Sequence, residues 1–302
     1  MKNITSFGEI LFDAYPDKKT LGGAPFNFIY HIIKLTGHGE FISRIGEDEP
    51  GREILGKLKS AGISTAFIQK DQTHPTGAAN ANLDENKIPH WTIEENRAYD
   101  FIEATSDLND LIKNKTDCLY FGTLAQRNAI SKETLRSFFG RKIKYFCDLN
   151  LRQNFYNEDV LISSLENADA LKLNNDELKI LNSLLLKKNE NEVDLIKRLS
   201  GNFNIGLVCL TKGEEGAVIY MNGEISRYKV DVKNVVDTVG AGDAYASVLC
   251  IGYMEGWELN RINKAATEFA SAIVQVEGAL PKDDNLYNQF KEKIKYERTK
   301  QR

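Results

Sequence analysis

The chain carries Asp-Thr-Val-Gly-Ala-Gly-Asp at residues 237–243, a run that combines two acids, a hydroxyl and two glycines. Residues 226–236 are polar and β-branched, whereas residues 244–253 are largely apolar at helical spacing, so a helix is predicted to begin here. Gly240 and Gly242 let backbone N–H groups approach a ligand, and the helix dipole favours a phosphate or a developing oxyanion. Because Asp243 would repel a resting phosphate, we interpret it as a general base for an attacking hydroxyl. A plain loop with Asp243 as a helix cap is the alternative.

Two familiar nucleotide motifs are absent from the sequence. Asp243, Ala244 and Tyr245 follow Gly242, so the third glycine of a dinucleotide fingerprint is missing. A Gly-x-x-x-x-Gly-Lys-Ser/Thr run occurs nowhere in the 302 residues. Neither a nicotinamide site nor a P-loop is therefore supported.

Composition indicates an ordinary globular protein. With 39 Lys and Arg against 43 Asp and Glu, the net charge of -4 argues against nucleic acid as a main partner. The four cysteines are far apart and three lie in apolar runs, which favours buried thiols in a reducing compartment over a disulfide frame or a zinc site. No apolar run approaches the roughly 18 residues that span a bilayer, and no signal segment opens the chain. We therefore expect a cytoplasmic enzyme without membrane contact.

Apolar runs in the second two-thirds of the chain alternate with helical periodicity. The predicted strands are 118–122, 144–149, 168–173 and 205–211, and helical spacing recurs at 131–139 and 193–199. This alternation predicts βαβ units and a mostly parallel sheet. Polar residues follow the strands, among them Asp148, Asn174 and Thr211. Because ligands bind at the carboxyl ends of such strands, these residues are expected to converge on one crevice.

The first third of the chain interrupts this rhythm. Residues 12–20 and 77–93 are extended and polar-alternating, which predicts a small β lid that excludes water from a phosphoryl-transfer site. Two surface hairpins without a gating role are the alternative. Between them, Gly22 and Gly23 precede a predicted helix with Pro25 at its first position and Asn27 in its first turn. Asn27 could reach a ligand over the glycines, or the glycines could simply form a turn.

Together these segments resemble the ribokinase-like sugar kinases, also called the phosphofructokinase B family. The resemblance covers nearly the whole chain, and its motifs occur in the family's order. They are Gly8-Glu9 to Asp13, Gly22-Gly23 to Asn27, residues 44–48 with Gly51, Asp148 to Arg152, Asn174 to Glu177, Thr211 to Gly216, Asp237 to Asp243, and Gly278-Ala279. The implied fold is an α/β three-layer sandwich with a mostly parallel central sheet and a small β lid.

The resemblance implies the following sites. Asp243 matches the family's catalytic base, and Gly240, Ala241 and Gly242 match the anion hole for the transferred phosphoryl group. Asn174 and Glu177 match the element that organises magnesium, largely through water, although a helix cap with a first-turn acid is the alternative. Thr211, Gly213 and Gly216 match the nucleotide loop, and residues 270–278 the adenine side, ending at Gly278. Asp237 and Thr238, with carbonyls near Gly278, resemble a monovalent-cation site for K+.

On the sugar side, Asp13 matches the acid that binds acceptor hydroxyls, with Gly23 and Asn27 as neighbours. Two motifs, residues 22–27 and 148–152, are most similar to the fructokinase branch, and Arg152 could donate to substrate or nucleotide phosphates. Fructokinases commonly show Phe-Tyr-Arg after the lid strand, whereas this chain has Trp-Thr-Ile at 91–93 and then Arg97. Arg97 could reach the acceptor or lie exposed on a helix.

The resemblance therefore predicts an ATP-dependent, magnesium-requiring kinase that phosphorylates the primary hydroxyl of a small sugar, with fructose as the expected acceptor. Alternatives are a 2-keto-3-deoxygluconate kinase, in which Arg152 and Arg97 meet a carboxylate, a nucleoside kinase, and a non-catalytic sugar sensor. Residues 1–11, 35–74 and 100–302 are assigned to the α/β core, and 12–34 and 75–99 to the lid and the sugar-side wall. The lids of two copies could pair into a homodimer.

Overall fold

The chain folds around two β-sheets, seen in a computed structural model that describes residues 1–14, 18–83 and 89–299. These ranges contain thirteen strands, nine in a central sheet and four in a small one. In chain order the strands are β1 (Ile4–Phe7), β2 (Leu11–Ala14), β3 (Lys19–Gly22), β4 (Glu40–Gly46), β5 (Ile68–Asp71), β6 (Gly77–Leu83), β7 (Pro89–Ile93), β8 (Cys118–Phe121), β9 (Lys144–Asp148), β10 (Ala170–Asn174), β11 (Leu207–Thr211), β12 (Ala217–Met221) and β13 (Glu224–Tyr228). The predicted lid segments and the end of the predicted core also include residues 15–17, 84–88 and 300–302, which lie outside the described residues.

Ten α-helices lie in the same three ranges. They are α1 (Ala24–Thr36), α2 (Glu49–Ser60), α3 (Ser106–Asn114), α4 (Ala129–Arg136), α5 (Glu158–Glu166), α6 (Asn175–Leu181), α7 (Glu192–Phe203), α8 (Ala241–Met254), α9 (Leu259–Ile273) and α10 (Asn285–Thr299). Polar side chains cap several of their N-termini, including Thr105 before α3 and Asn157 before α5, and so satisfy first-turn N–H groups. None of these ten helices has the length and hydropathy needed to cross a membrane.

The central sheet is mostly parallel, as predicted. Its strand order is β13-β12-β11-β10-β9-β8-β1-β4-β5. The pairs from β11 to β5 are parallel, whereas β12 and β13 form an antiparallel hairpin at one edge. The predicted strands at 118–122, 144–149, 168–173 and 205–211 correspond to β8, β9, β10 and β11, with ends that differ by one or two residues. Such strands appear in the sequence as apolar runs because both faces are buried.

Helices cover both faces of this sheet and make it the middle of three layers. Successive residues of β8 enter opposite cores: Cys118 and Tyr120 pack on one side, Leu119 and Phe121 on the other. The first core includes the apolar faces of α1, α2, α8, α9 and α10, and the second those of α3 to α7. The alternation of side chains along each strand thus sorts the core into two clusters.

The small sheet forms the predicted lid, in the order β3-β2-β6-β7. Its central pair β2 and β6 is parallel, and each outer pair is antiparallel. Leu11, Ala79 and Ile93 pack with Tyr99 and Leu124. Leu124 follows the carboxyl end of β8, so this contact joins the lid to the large sheet.

The helix α1, which the predicted boundaries grouped with the lid segment, packs in the first core beside α8 and α10. Only its first turn, which includes Asn27, lies at the predicted sugar side. It begins at Ala24, so Pro25 is its second residue and not its first. Proline is tolerated at the second position as well as at the first, because neither of the first two N–H groups of a helix has an acceptor within the helix.

Candidate active site

Polar residues meet at the carboxyl ends of β9, β10 and β11. Asp148 ends β9, Asn174 ends β10 and Thr211 ends β11, and Asn174 lies beside Thr211 in the parallel register. The sequence prediction that these residues converge is therefore correct, because parallel strands place their carboxyl ends at one edge.

The first turn of α8 borders this crevice. Gly240 precedes the helix with φ of 78°, and a Cβ there would lie 2.4 Å from the Cβ of Ala279, so both the backbone angle and the space require glycine. Gly242 is exposed. The Ala241 N–H donates to the Thr238 carbonyl at 3.3 Å, whereas within the described part of the chain the N–H groups of Gly242 and Asp243 have no acceptor. Two donors at a helix N-terminus are thus available to an anion.

Asp243 lies in the same turn and contacts α1. The Asn27 Nδ2 donates to Asp243 Oδ2 at 2.8 Å. Burial and the neighbouring Asp148 charge raise the pKa of Asp243 to about 6, while the Asn27 hydrogen bond opposes the rise. A carboxyl with that pKa is largely ionised near neutral pH and still basic enough to accept a proton.

The two glycines before α1 make room for the Asp13 carboxyl and the Glu9 backbone. A Cβ on Gly22 would lie 2.3 Å from Oδ2 of Asp13, so the absence of a side chain lets this carboxyl lie across β3. Gly23 has φ of 109°, and a Cβ there would lie 2.6 Å from the Glu9 carbonyl oxygen. The motif therefore positions Asp13 and the backbone of Glu9 against the start of α1.

The Arg152 charge acts on three carboxyl groups. Burial raises the pKa of Asp13 to about 6 and that of Glu9 to about 7, and the Arg152 charge lowers both. Arg152 also lowers the pKa of Asp243, and its side chain is exposed. Glu9 is 3% exposed, and its Oε2 has no partner in the described residues. Glu9 was not predicted as a site residue, although Gly8-Glu9 opens the first of the family's motifs; it lies two residues after the buried strand β1.

Arg97, predicted to bind the acceptor, forms an ion pair with Glu94. Its backbone N–H donates to Asp100, whose carboxyl binds Arg127 through two atoms at 2.8 Å each. Tyr99 is fully buried, and its hydroxyl accepts from Arg127. A nucleoside kinase would need aromatic side chains such as Trp91 and Tyr99 to stack on the base. The buried Tyr99 ring cannot do so, and the Trp91 side chain lies outside the described part.

Asn174 and Glu177 form a capping box at the start of α6. Asn174 Oδ1 accepts from the Glu177 N–H at 2.9 Å, and Glu177 Oε2 accepts from the Asn174 N–H at 2.8 Å. Glu177 Oε1 accepts from the Leu151 N–H at 2.8 Å, which fixes the loop that carries Arg152. Burial raises the pKa of Glu177. With both carboxylate oxygens already accepting, the pair fits a magnesium ion held through water. Across residues 1–14, 18–83 and 89–299, no three His, Cys, Asp or Glu side chains form a metal cluster.

The residues predicted to border the nucleotide lie in tight turns. Gly213 and Gly216 have φ of 56° and 84°, and a Cβ on Gly216 would lie 2.1 Å from the Tyr228 carbonyl oxygen. Gly278, with φ of 76°, donates its N–H to Asp237 at 3.1 Å, and Asp237 also accepts from Val239 at 3.0 Å. Asp237 thus ties the turn before α8 to the loop after α9. Thr238 is exposed, and its role and that of Asp237 in K+ binding stay predictions.

A buried polar network that the sequence analysis missed lies below the α8 turn. Lys172, on β10, donates to both carboxylate oxygens of Asp148 at 2.8 and 2.9 Å, and Tyr120 donates to Asp148 at 3.1 Å. Lys172 is 6% and Asp148 1% exposed. The sequence signal was a lysine inside an apolar strand, which becomes informative only when its partner on the next strand is known.

Comparison with known proteins decides the family. A model of the pfkB family of carbohydrate kinases matches residues 1–285. The chain belongs to this family. It is 25% identical to the fructokinase of Escherichia coli over 276 residues, which cover 86% of this chain and 87% of that protein. Membership confirms the predicted activity class, an ATP-dependent carbohydrate kinase.

Solved structures of two carbohydrate kinases have the same fold. The fructokinase of Xylella fastidiosa with bound ATP superposes with a TM-score of 0.83 at 18% identity, covering 96% of this chain and 98% of that one. The 2-dehydro-3-deoxygluconokinase of Thermotoga maritima gives 0.77 at 18% identity, covering 97% and 100%. The predicted ribokinase-like sandwich with a lid is therefore confirmed.

Proposed function

We propose that this carbohydrate kinase transfers the γ-phosphoryl group of ATP to the primary hydroxyl of fructose. One observation carries the choice of a neutral polyol: the acceptor side presents buried oxygen atoms that need hydrogen-bond donors. Asn27 Oδ1 and Glu9 Oε2 are buried and have no partner among the described residues. The glycine pair before α1 contacts the Asp13 carboxyl at Gly22 and the Glu9 backbone at Gly23. Sugar hydroxyls can donate to such atoms, and charge-assisted hydrogen bonds to carboxylates are strong.

The roles of the site residues follow from their positions. Asp243 would take the proton of the acceptor hydroxyl as its oxygen bonds to the γ-phosphorus and the bond to ADP breaks. The N–H groups of Gly242 and Asp243 would donate to the transferred group, in the turn formed with Gly240 and Ala241. Thr211, Gly213, Gly216 and Gly278 would border the nucleotide. Asn174 and Glu177 would hold magnesium through water, and the ion would neutralise charge on the nucleotide phosphates.

A 2-keto-3-deoxygluconate kinase is the second candidate. Exposed Arg152 supports it, because no ion pair of Arg152 occurs in residues 1–14, 18–83 or 89–299, and a carboxylate could bind there. The Thermotoga maritima structure with the same fold carries that name. However, Arg97 is paired with Glu94, and the carboxyl groups of Asp13, Glu9 and Asp243 on the acceptor side would repel an anionic acceptor.

The remaining assignments are part of the same proposal. A homodimer through the lid, dependence on K+ at Asp237 and Thr238, and a cytoplasmic location stay predictions. All four cysteines are buried and free, which fits a reducing compartment.

Coupled measurement of ADP release tests the proposal. ATP and magnesium would be supplied with fructose, ribose, 2-keto-3-deoxygluconate, adenosine and fructose phosphates. Asp243→Asn should abolish turnover, whereas Asp107→Asn, an exposed acid in the first turn of α3, should leave it unchanged. Preference for fructose supports the proposal, and preference for the keto acid moves the function to the second candidate. Absence of turnover with every acceptor would favour the sugar sensor and refute the proposed reaction.

A further inference from the structure

Lys172 occupies an unusual position for a lysine. It lies in the middle of a parallel sheet, between β9 and β11, and is 6% exposed. Burying an ammonium group is costly unless a charged partner and hydrogen bonds compensate. Asp148 provides that partner with contacts at 2.8 and 2.9 Å, and β10 places Lys172 directly beside Asp148 in the register.

The ammonium group lies against the glycine turn of α8. A Cβ built on Gly242 would lie 3.4 Å from Lys172 Nζ, so no side chain separates the turn from the charge. Strand alternation explains this direction, because Ala170 packs in the core with α8 and Leu171 and Leu173 pack in the opposite one. An ammonium has three N–H donors, and Asp148 accepts from Lys172 through both carboxylate oxygens.

The Lys172 charge also acts on two nearby carboxyl groups, Glu177 and Asp243. Asp148 holds the Lys172 ammonium group through both of its carboxylate oxygens. The Lys172 charge in turn lowers the pKa of Glu177 and of Asp243. Lys172 is therefore a positive charge that acts on Glu177, on the predicted base Asp243 and on Asp148 at the end of β9.

We propose that Lys172 is a positioning residue that holds a fixed positive charge beneath the glycine turn 240–242, where the transferred phosphoryl group binds. The inference rests on the proposed kinase function. The charge adds to the field of the α8 N-terminus and keeps Asp243 ionised, while Asp148 holds the ammonium in place. Neither task requires Lys172 to touch the substrate.

Three variants test the proposal through opposite shifts of one pH profile. The acid limb of kcat/KM reports ionisation of the free enzyme's base. The charged or titratable groups around Asp243 are Glu9, Tyr120, Asp148, Arg152 and Lys172, with the Asn27 amide on α1. Lys172→Met should move the limb up by about one pH unit, and Asp148→Asn should move it down by a similar amount. The double variant Asp148→Asn/Lys172→Met should return it close to the original position.

The plateau rate separates charge from packing. Lys172→Met and the double variant should both lose about tenfold or more in kcat at high pH, because both lack the ammonium. Replacement of a buried ion pair by neutral groups is often tolerated, so the double variant can provide the kcat measurement if Lys172→Met alone unfolds. Lys144→Met, a lysine on β9 that forms a surface ion pair with Asp169, is the matched control and should change neither quantity.

A second readout needs no turnover. Carbon-13 NMR titration of aspartate carboxyls, with the Asp243 signal assigned by Asp243→Asn, measures the same shifts in the ligand-free protein. Opposite shifts in the two single variants support the inference, even if no acceptor is turned over and the proposed function fails. If the native enzyme is active and neither the limb nor the Asp243 signal moves, Lys172 has only a structural role and the inference is wrong.

Discussion

Removal of the Asn27 amide should shift the ionisation of the predicted base. Its Nδ2 donates to Asp243 Oδ2 at 2.8 Å, and this bond opposes the burial that raises the pKa of Asp243 to about 6. A hydrogen bond to a charged group contributes about 1.5–3 kcal/mol, and one pKa unit corresponds to about 1.4 kcal/mol. Asn27→Ala should therefore raise the pKa of Asp243 by about one to two units.

The expected kinetic effect follows from the sign of this shift. A base works when deprotonated, so a higher pKa moves the acid limb of kcat/KM toward alkaline pH. For a shift of about 1.5 units, the deprotonated fraction at pH 6 falls roughly fifteen-fold, whereas at pH 9 it hardly changes. Dividing the pH 6 value by the pH 9 value within each protein removes any pH-independent loss of acceptor binding.

Profiles of kcat/KM from pH 5 to 9.5, with fructose and ATP, measure this ratio. Asp13 and Glu9 titrate in the same range but are present in both proteins, so the difference isolates Asp243. Asn263→Ala is the matched control, because Asn263 is also a buried helical asparagine with a side-chain partner, Tyr245, but lies away from the site. An unchanged acid limb in Asn27→Ala, with a folded protein, would refute the assignment of this contact.

Three other changes have defined outcomes. Asp243→Asn should stabilise the fold by about 1–3 kcal/mol at pH 8 and have no such effect near pH 4, because ionisation of a carboxyl with a raised folded pKa destabilises the fold increasingly between pH 3.8 and about 6. Calorimetry at both pH values measures this as a higher thermal midpoint at pH 8, and equal midpoints of variant and native protein at pH 8 would contradict it. Gly240→Ala should lower the free energy of unfolding by about 1–3 kcal/mol, because φ at this position is 78° and Ala279 fills the space, whereas Gly242→Ala at the second helical position should be neutral or stabilise the fold by up to about 1 kcal/mol. Urea unfolding compares the two variants, and equal losses would count against the steric argument. Arg127→Met should cost about 3–5 kcal/mol, because it leaves the buried Asp100 carboxyl unpaired, and a shift in the urea midpoint measures it; a near-neutral result would show that Asp100 finds another donor.

Local motifs account for the part of the site that the sequence revealed. Gly240, Gly242 and Asp243 lie within four residues, and the helix that presents them begins at the same residues, so their spacing predicts a turn that can bind an anion. Apolar runs likewise located β8 to β11, because buried parallel strands have few polar positions. These features depend on neighbours in the sequence.

The missed residues depend on partners that are distant in the sequence. Lys172 pairs with Asp148 across 24 positions, and only strand register shows that the two lie side by side. Glu9 belongs to the site because α1 and the loop after β9 return to the end of β1. Arg97 pairs with Glu94, three positions away but outside any helix, and this ion pair makes an acceptor role weaker.

The hydrogen bond from the Leu151 N–H to Glu177 has an evolutionary consequence. One carboxyl group fixes both the turn at Asn174 and the loop that ends in Arg152. A substitution at Glu177 would therefore disturb the start of α6 and the Arg152 loop together, and no single compensating change could restore both. Acceptor preference can instead diverge through the lid strands β2, β3, β6 and β7, which form a separate sheet. Relatives with different sugars are therefore expected to vary in the lid and to retain the acid at this position.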